Sequence, residues 1–283
     1  MKNIGRKFVV VVMLVYGALL VKAQAPKNSI ARDPYIGAIT IDASSGKTLF
    51  EDRPDVPGYP ASTLKLMLLL LVQERIDAGK LKLTDMVSVS VAAYKTGGSQ
   101  VYLDPRESFS VEDMLYATII QSANDASVAL AEHVAGSKEA FVKMMNDRAH
   151  ELGMTNTRFA SVHGLPPSAG QRHDVSTARD MAILARELCK HPDIFRYTSA
   201  VYRQLRAGTD RPFDMRTHNP FLKEGLAGCD GFKTGYTAAA GWSIVATVKR
   251  DGRRVIVVVL GSTGRKLRDA KARELLNAAF VQD

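Results

Sequence analysis

Residues 60–79 read PASTLKLMLLLLVQERIDAG. The stretch follows three prolines, Pro54, Pro57 and Pro60, and runs strongly apolar until the charged residues near Gly79. It predicts a helix over roughly residues 62–79, with Gly79 as its stop. Ser62 and Lys65 are three residues apart at the start of that helix, so the amine can reach the hydroxyl on one helical face. The helix N-terminus also favours negative charge developing at Ser62. A serine beside an amine is a nucleophile–base pair, provided the lysine can lose its proton. The same spacing occurs at Ser44-Ser45-Gly46-Lys47, but within a turn no helix aims the two side chains, and that copy reads as structural.

Working outward, residues 35–42 (YIGAITID) alternate as a strand and turn through Ser44–Lys47 into Thr48-Leu49-Phe50, a hairpin signal. At the other end, residues 241–249 and 253–260 are β-rich and joined by Asp251-Gly252, a strong hairpin turn. Helical periodicity fills the middle: residues 111–134 with a break around Ala123-Asn124, residues 138–152, and residues 176–189 started by Ser176 as cap. A last helix covers about residues 266–280. Strands at both ends and helices between predict an α+β fold, one antiparallel sheet assembled from both termini with an all-helical lobe inserted.

Two further triplets carry chemistry. Ser122-Ala123-Asn124 sits at the break in the helical region, where a second hydroxyl can relay a proton and an amide can hold a carbonyl. Lys233-Thr234-Gly235 reads as the start of an edge strand, its glycine allowing close backbone approach. A second K-T-G, Lys95-Thr96-Gly97, precedes Ser122; only Lys233 follows both serines.

The 283 residues are 46% hydrophobic and 24% charged, which excludes a disordered, fibrous or multi-span membrane protein. The net charge of +9 suggests nucleic acid until the N-terminus is read. Lys2, Arg6 and Lys7 precede an apolar run over residues 8–21, too short to span a bilayer comfortably, and the pattern predicts an export signal cleaved after Ala23. Loss of Lys2, Arg6, Lys7 and Lys22 leaves 34 basic against 29 acidic residues, a net of +5. An exported chain of that charge needs no nucleic-acid partner and suits an anionic envelope substrate. Cys189 and Cys229 are candidates for one disulfide whose pairing the sequence leaves open. No metal site or cofactor is expected: the six histidines are scattered without HExxH, and no CxxC occurs.

The order S-x-x-K, S-x-N, K-T-G is the signature of penicillin-interacting serine enzymes. Residues 60–67 (PASTLKLM), Gly97-Gly98-Ser99, residues 108–115 (SFSVEDML), His163-Gly164-Leu165, residues 176–180 (STARD) and residues 230–237 (DGFKTGYT) resemble the low-molecular-mass D-alanyl-D-alanine carboxypeptidases. The resemblance covers roughly residues 30–280 and implies a β-lactamase/D,D-transpeptidase-like fold. It implies that Ser62 attacks the carbonyl between two D-alanines, with Lys65 as base and Ser122 passing the proton to the leaving group. Asn124 would orient the peptide. Lys233, Thr234 and Arg268 would hold the terminal carboxylate, with Gly235, Tyr236 and Thr237 continuing the substrate-binding strand. The N–H groups of Ser62 and Tyr236 would form the oxyanion hole. Peptidoglycan stem peptides are the implied substrate, and β-lactams the implied covalent inhibitors. His163 and His173 read as loop hydrogen-bonding residues.

The chain departs from the family at Leu64, where threonine is frequent. It is expected to be a single catalytic domain over residues 24–283, without the second β-rich domain or stable membrane anchor of many relatives. D,D-endopeptidase activity on cross-links is the near alternative. A class A-like β-lactamase lacks support, because no E-x-x-x-N lies between Asn124 and Lys233. A non-catalytic β-lactam sensor is the remaining alternative.

Overall fold

The computed structural model describes residues 29–281, so the expected export signal lies outside the described residues. Strands β1 (Gly37–Asp42) and β2 (Thr48–Asp52) form the predicted hairpin, and helix α1 (Lys65–Asp77) follows a 3-10 turn at Ala61–Leu64. A mixed region comes next: β3 (Met86–Ser88), α2 (Val91–Tyr94), β4 (Ser108–Ser110), α3 (Val111–Tyr116), α4 (Asn124–Ala135), α5 (Lys138–Glu151) and α6 (Ala178–Leu188). Short elements α7 (Phe195–Thr198), β5 (Tyr202–Leu205), β6 (Phe213–Arg216) and α8 (Pro220–Lys223) lead to β7 (Cys229–Thr237), β8 (Gly241–Arg250), β9 (Arg253–Ser262) and α9 (Arg265–Ala279).

The main sheet has the order β2-β1-β9-β8-β7 and is antiparallel throughout. Both termini therefore supply it, with Gly37 of β1 paired to Leu260 of β9. Successive side chains on a strand point to opposite faces. Ile39, Ile41, Val245, Ile256, Val258 and Leu260 face the helical layer, while Ala38, Ile244, Ala246, Val257 and Val259 face α9 through Ala272, Leu275 and Leu276. Both faces are covered, which is why β8 and β9 read as continuous apolar runs. In α1 every residue from Lys65 to Gln73 is buried; a helix apolar all round belongs inside a core. Each buried leucine of this run stabilises the fold by about 1.5–3 kcal/mol relative to exposure.

The periodicity over residues 111–134 resolves into α3, a π turn at Ala117–Gln121, Ser122 in the left-handed region and α4. The cap of α6 is Thr177, whose hydroxyl accepts from Asp180 N, rather than Ser176. Ser176 instead pairs its backbone with Gly58. Both cysteines are free. Cys189 packs with the helical-layer cluster and Cys229 with the α9 cluster, so the sheet separates them.

Candidate active site

Ser62 rides on the 3-10 turn closed by Pro60, whose carbonyl accepts from Thr63 N at 3.1 Å and Thr63 Oγ1 at 2.6 Å. Gly164 braces this turn from the far side. A Cβ there would lie 2.2 Å from Ala61 O, and its φ of +82° also demands glycine.

Lys65, the first residue of α1, is fully buried. Its Nζ lies 3.0 Å from Ser62 Oγ and donates to Asn124 Oδ1 and His163 O, both at 2.8 Å. Burial first, and then the charge on Lys233, hold its pKa well below the ordinary lysine value; Asp174 and Asp125 oppose them. A neutral amine has two N–H groups and one lone pair. Asn124 Oδ1 and His163 O can only accept, so in the neutral form they take both N–H groups and leave the lone pair to the Ser62 hydroxyl, whereas in the protonated form the third N–H donates to Ser62 Oγ. The same three contacts serve both forms, and it is the depressed pKa that favours the one a general base requires.

Ser122 lines the same cavity as Ser62, carried there by the π turn and its own left-handed conformation, φ +62°. Such one-turn irregularities recur at functional sites. The loop around Gly97–Ser99 braces it: Ser99 O accepts from Asn124 N at 2.7 Å, Ser99 Oγ donates to Gln121 O at 2.7 Å, and Gly97 O accepts from Asn124 Nδ2 at 2.8 Å. The competing K-T-G at Lys95 is therefore a loop against the site, with its own glycine carbonyl holding Asn124.

Strand β7 is the sheet edge beside the nucleophile turn. A Cβ on Gly235 would lie 2.7 Å from Pro60 O and 3.2 Å from Ser62 N, so only glycine lets strand and turn run this close. Lys233 is buried, its Nζ donates to Thr234 O at 3.2 Å, and desolvation lowers its pKa to about 7. Asp230, which opens the K-T-G strand, is clamped by both terminal nitrogens of Arg254 at 2.7 Å each. Arg268 is buried, with its guanidinium donating to Ser243 O at 3.2 Å and to Asp269 Oδ1 at 2.7 Å.

A cavity of about 290 Å³ opens over these groups, with Ser62, Ser122, Thr234, Gly235, Tyr236 and Arg268 in its wall. Lys65, Asn124 and Lys233 lie buried beneath. Thr237 stands apart: its hydroxyl accepts from Ala240 N at 3.0 Å within the β7–β8 turn. His163 contributes its carbonyl, while its Nδ1 accepts from Leu165 N at 3.1 Å. Burial and then the charges of Lys65 and Lys138 push its ring down to about 4. His173 stacks on Tyr59 with ring centroids 4.1 Å apart. Away from the cavity, Glu74, Glu187 and His191 could bring ligand atoms together, but Arg148 already bridges both carboxylates, at 2.8 Å and 3.2 Å.

Two buried carboxylates escaped sequence reasoning. Asp125 accepts from Val101 N and Leu103 N, fastening the loop beyond Ser99. Asp174 accepts from Ala160 N at 2.6 Å and from Ser161 Oγ at 2.7 Å; Ser161 Oγ in turn accepts from Gly164 N at 2.8 Å. This chain of bonds fixes the turn whose His163 carbonyl holds Lys65. Replacing Asp174 by asparagine removes a charge that raises the Lys65 pKa, so the acidic limb of Ser62 acylation moves to lower pH. Stability falls by about 2 kcal/mol as charge-assisted bonds weaken. A pH–rate profile and thermal unfolding check both signs; an unmoved limb removes Asp174 from the electrostatics of Lys65.

The profile of the D-alanyl-D-alanine carboxypeptidase family, peptidase S11, matches residues 23–264. The D-alanyl-D-alanine carboxypeptidase DacF of Bacillus subtilis is 41% identical over 245 residues, 87% of this chain and 62% of that protein. This chain spans less than two thirds of the length of the curated relatives DacF, DacC and DacA that it matches. Among solved structures, the D-alanyl-D-alanine carboxypeptidase DacD of Francisella tularensis superposes with a TM-score of 0.80 at 30% identity, covering 94% of this chain and 75% of that one. Penicillin-binding protein D2 of Listeria monocytogenes, solved in its ampicillin-bound form, gives 0.75 at 30% identity over 86% of this chain and 96% of that one.

Proposed function

The chain belongs to the D-alanyl-D-alanine carboxypeptidase family, peptidase S11, and on that premise we propose that it is a serine carboxypeptidase removing the terminal D-alanine from peptidoglycan stem peptides. The observation that carries the reading is the buried Lys65 amine, its pKa held well below the ordinary value, 3.0 Å from Ser62 Oγ at a cavity walled by Thr234 and Arg268.

The substrate carboxylate is held by protonated Lys233, Thr234 and Arg268, which sets the scissile carbonyl over Ser62. Lys65 takes the Ser62 proton as Oγ attacks. The developing oxyanion lies between the N–H groups of Ser62 and Tyr236, worth about 3 kcal/mol per donor. As the tetrahedral intermediate collapses, the C–N bond breaks and Ser122 passes a proton to the leaving amine. D-Alanine departs and an acyl ester remains on Ser62. Water then attacks that ester with Lys65 again accepting a proton, which returns the free enzyme. Asn124 holds both Lys65 and the peptide side of the substrate. In this reading β-lactams acylate Ser62 in the same way and act as covalent inhibitors. Residues 1–23 direct export to the periplasmic or extracytoplasmic side, and residues 24–283 form the catalytic domain. No helix among the described residues is long and apolar enough to cross a membrane.

The test is incubation of the purified protein with a pentapeptide ending in D-Ala-D-Ala, with chromatography for free D-alanine. A fluorescent penicillin adduct is mapped by mass spectrometry in parallel. Release of D-alanine and a label on Ser62 are expected. Absence of release with Ser62 labelled would turn the reading toward a β-lactam-binding protein without peptidase activity.

A further inference from the structure

The far end of the active-site cavity holds groups that the carboxypeptidase reaction leaves unused. Lys223, the last residue of α8, and Arg265, the first residue of α9, both reach its wall, and the lining includes no aspartate or glutamate. Their backbones are well fixed. Asn219 caps α8, accepting from Phe221 N at 3.0 Å and donating to Gly231 O at 3.2 Å, while Phe221 is buried beneath. Arg265 is one turn from buried Arg268 on the same helix.

Charge matching exposes the surplus. One substrate carboxylate is answered by Lys233 and Arg268. Lys223 has no carboxylate partner among the described residues. Arg265 has only Asp269, at 3.9 Å, whose other oxygen is already engaged by Arg268 at 2.7 Å. His218 lies in the same wall and is pushed down to about 4, by desolvation first and then by Lys233, Lys223, Lys65 and Arg265. It is a neutral ring at neutral pH and adds no charge of its own. Tyr236 and Trp242, stacked with centroids 3.9 Å apart, make a flat apolar wall alongside. The methyl side chain of D-alanine carries no charge with which Lys223 or Arg265 could pair.

We propose that Lys223 and Arg265 form a leaving-group subsite for a D-amino acid that carries a second carboxylate on its side chain. The inference rests on the peptidase reading above and names a substrate class for the same site: D-alanyl bonds to the amine of a D-amino acid with an acidic side chain. The α-carboxylate of the departing residue takes the Lys233–Arg268 clamp. Its side chain lies along Tyr236 and Trp242 and ends between the two outer cations.

Three acyl-blocked peptides ending in D-Ala-D-Ala, D-Ala-D-Glu and D-Ala-D-Gln test it, the last matching D-Glu in size without its charge. The kcat/KM for D-Glu release is expected to exceed that for D-Gln by about fivefold at low salt, from two solvent-exposed ion pairs at the cavity wall of about 0.5 kcal/mol each. The double variant Lys223→Ala/Arg265→Ala should bring that ratio close to one. Its kcat/KM for D-alanine release should change less than about threefold, since neither residue is among the groups that hold the α-carboxylate. A ratio near one in the native protein, or a ratio unchanged in the double variant, overturns the subsite. Failure to cleave any of the three overturns the peptidase reading and the subsite together, whereas D-alanine release without a charge preference leaves the peptidase standing and removes only the subsite.

Discussion

A Lys65→Met protein acylates at Ser62 about 10⁴-fold more slowly than the native one, the upper range for loss of a positioned general base. Methionine has nearly the length of lysine and suits a fully buried position on an otherwise apolar helix. The substitution leaves Asn124 Oδ1 and His163 O without their shared donor, which costs about 1–3 kcal/mol per orphaned acceptor. Against this, the site no longer buries an amine that solvent would otherwise hydrate. Folding stability should therefore move by only a few kcal/mol, and thermal unfolding verifies that the loss is chemical. Stopped-flow or gel-based labelling with a fluorescent penicillin measures the rate. Acylation within about tenfold of native would remove Lys65 as the base, whatever the peptide result.

The nucleophile–base pair behind that rate is only partly legible in the sequence. Ser62 and Lys65 are three residues apart, and helix geometry alone brings them together. The hairpins around Ser44–Lys47 and at Asp251-Gly252 were equally local, because turn chemistry is written in adjacent residues. What holds the Lys65 amine in place is not local. His163 lies 98 residues away and acts through its main-chain carbonyl, a group every residue has and no motif marks. Asp174 holds that carbonyl's turn through Ser161, and no periodicity connects the three. Arg254 clamps Asp230 from the neighbouring hairpin, a pairing set by sheet register. The break in the helical region is legible around Ala123-Asn124 and falls one residue earlier, at left-handed Ser122, but no local signal marks the π turn at Ala117–Gln121 that leads into it. Likewise Ser176, a good cap by type, is diverted to pair with Gly58, and Thr177 takes the role.

The value of kcat/KM should fall as pH rises above about 7, by close to tenfold per unit, with Lys233 as the cause. Its depressed pKa means that the free protein loses that proton about three units earlier than an ordinary lysine would. Neutral Lys233 cannot balance the substrate carboxylate, so the active form is the protonated one and activity is lost on the alkaline side. Lys65 works in the opposite sense: its neutral form is active, so activity is lost on the acid side, and the two limbs make a bell. Because the lysines interact, the limbs belong to the pair. Once a carboxylate is bound, it raises the Lys233 pKa, so the alkaline limb of kcat lies above that of kcat/KM. Lys233→Ala removes a charge-assisted bond and should lower kcat/KM by about 10–10²-fold. It also removes a cation that lowers the Lys65 pKa, so its acidic limb shifts to higher pH. Steady-state profiles of both proteins between about pH 5 and 10 read every sign. A native profile flat through pH 7–9, or an unshifted acidic limb in the variant, would mean that Lys233 neither titrates with nor tunes its neighbour.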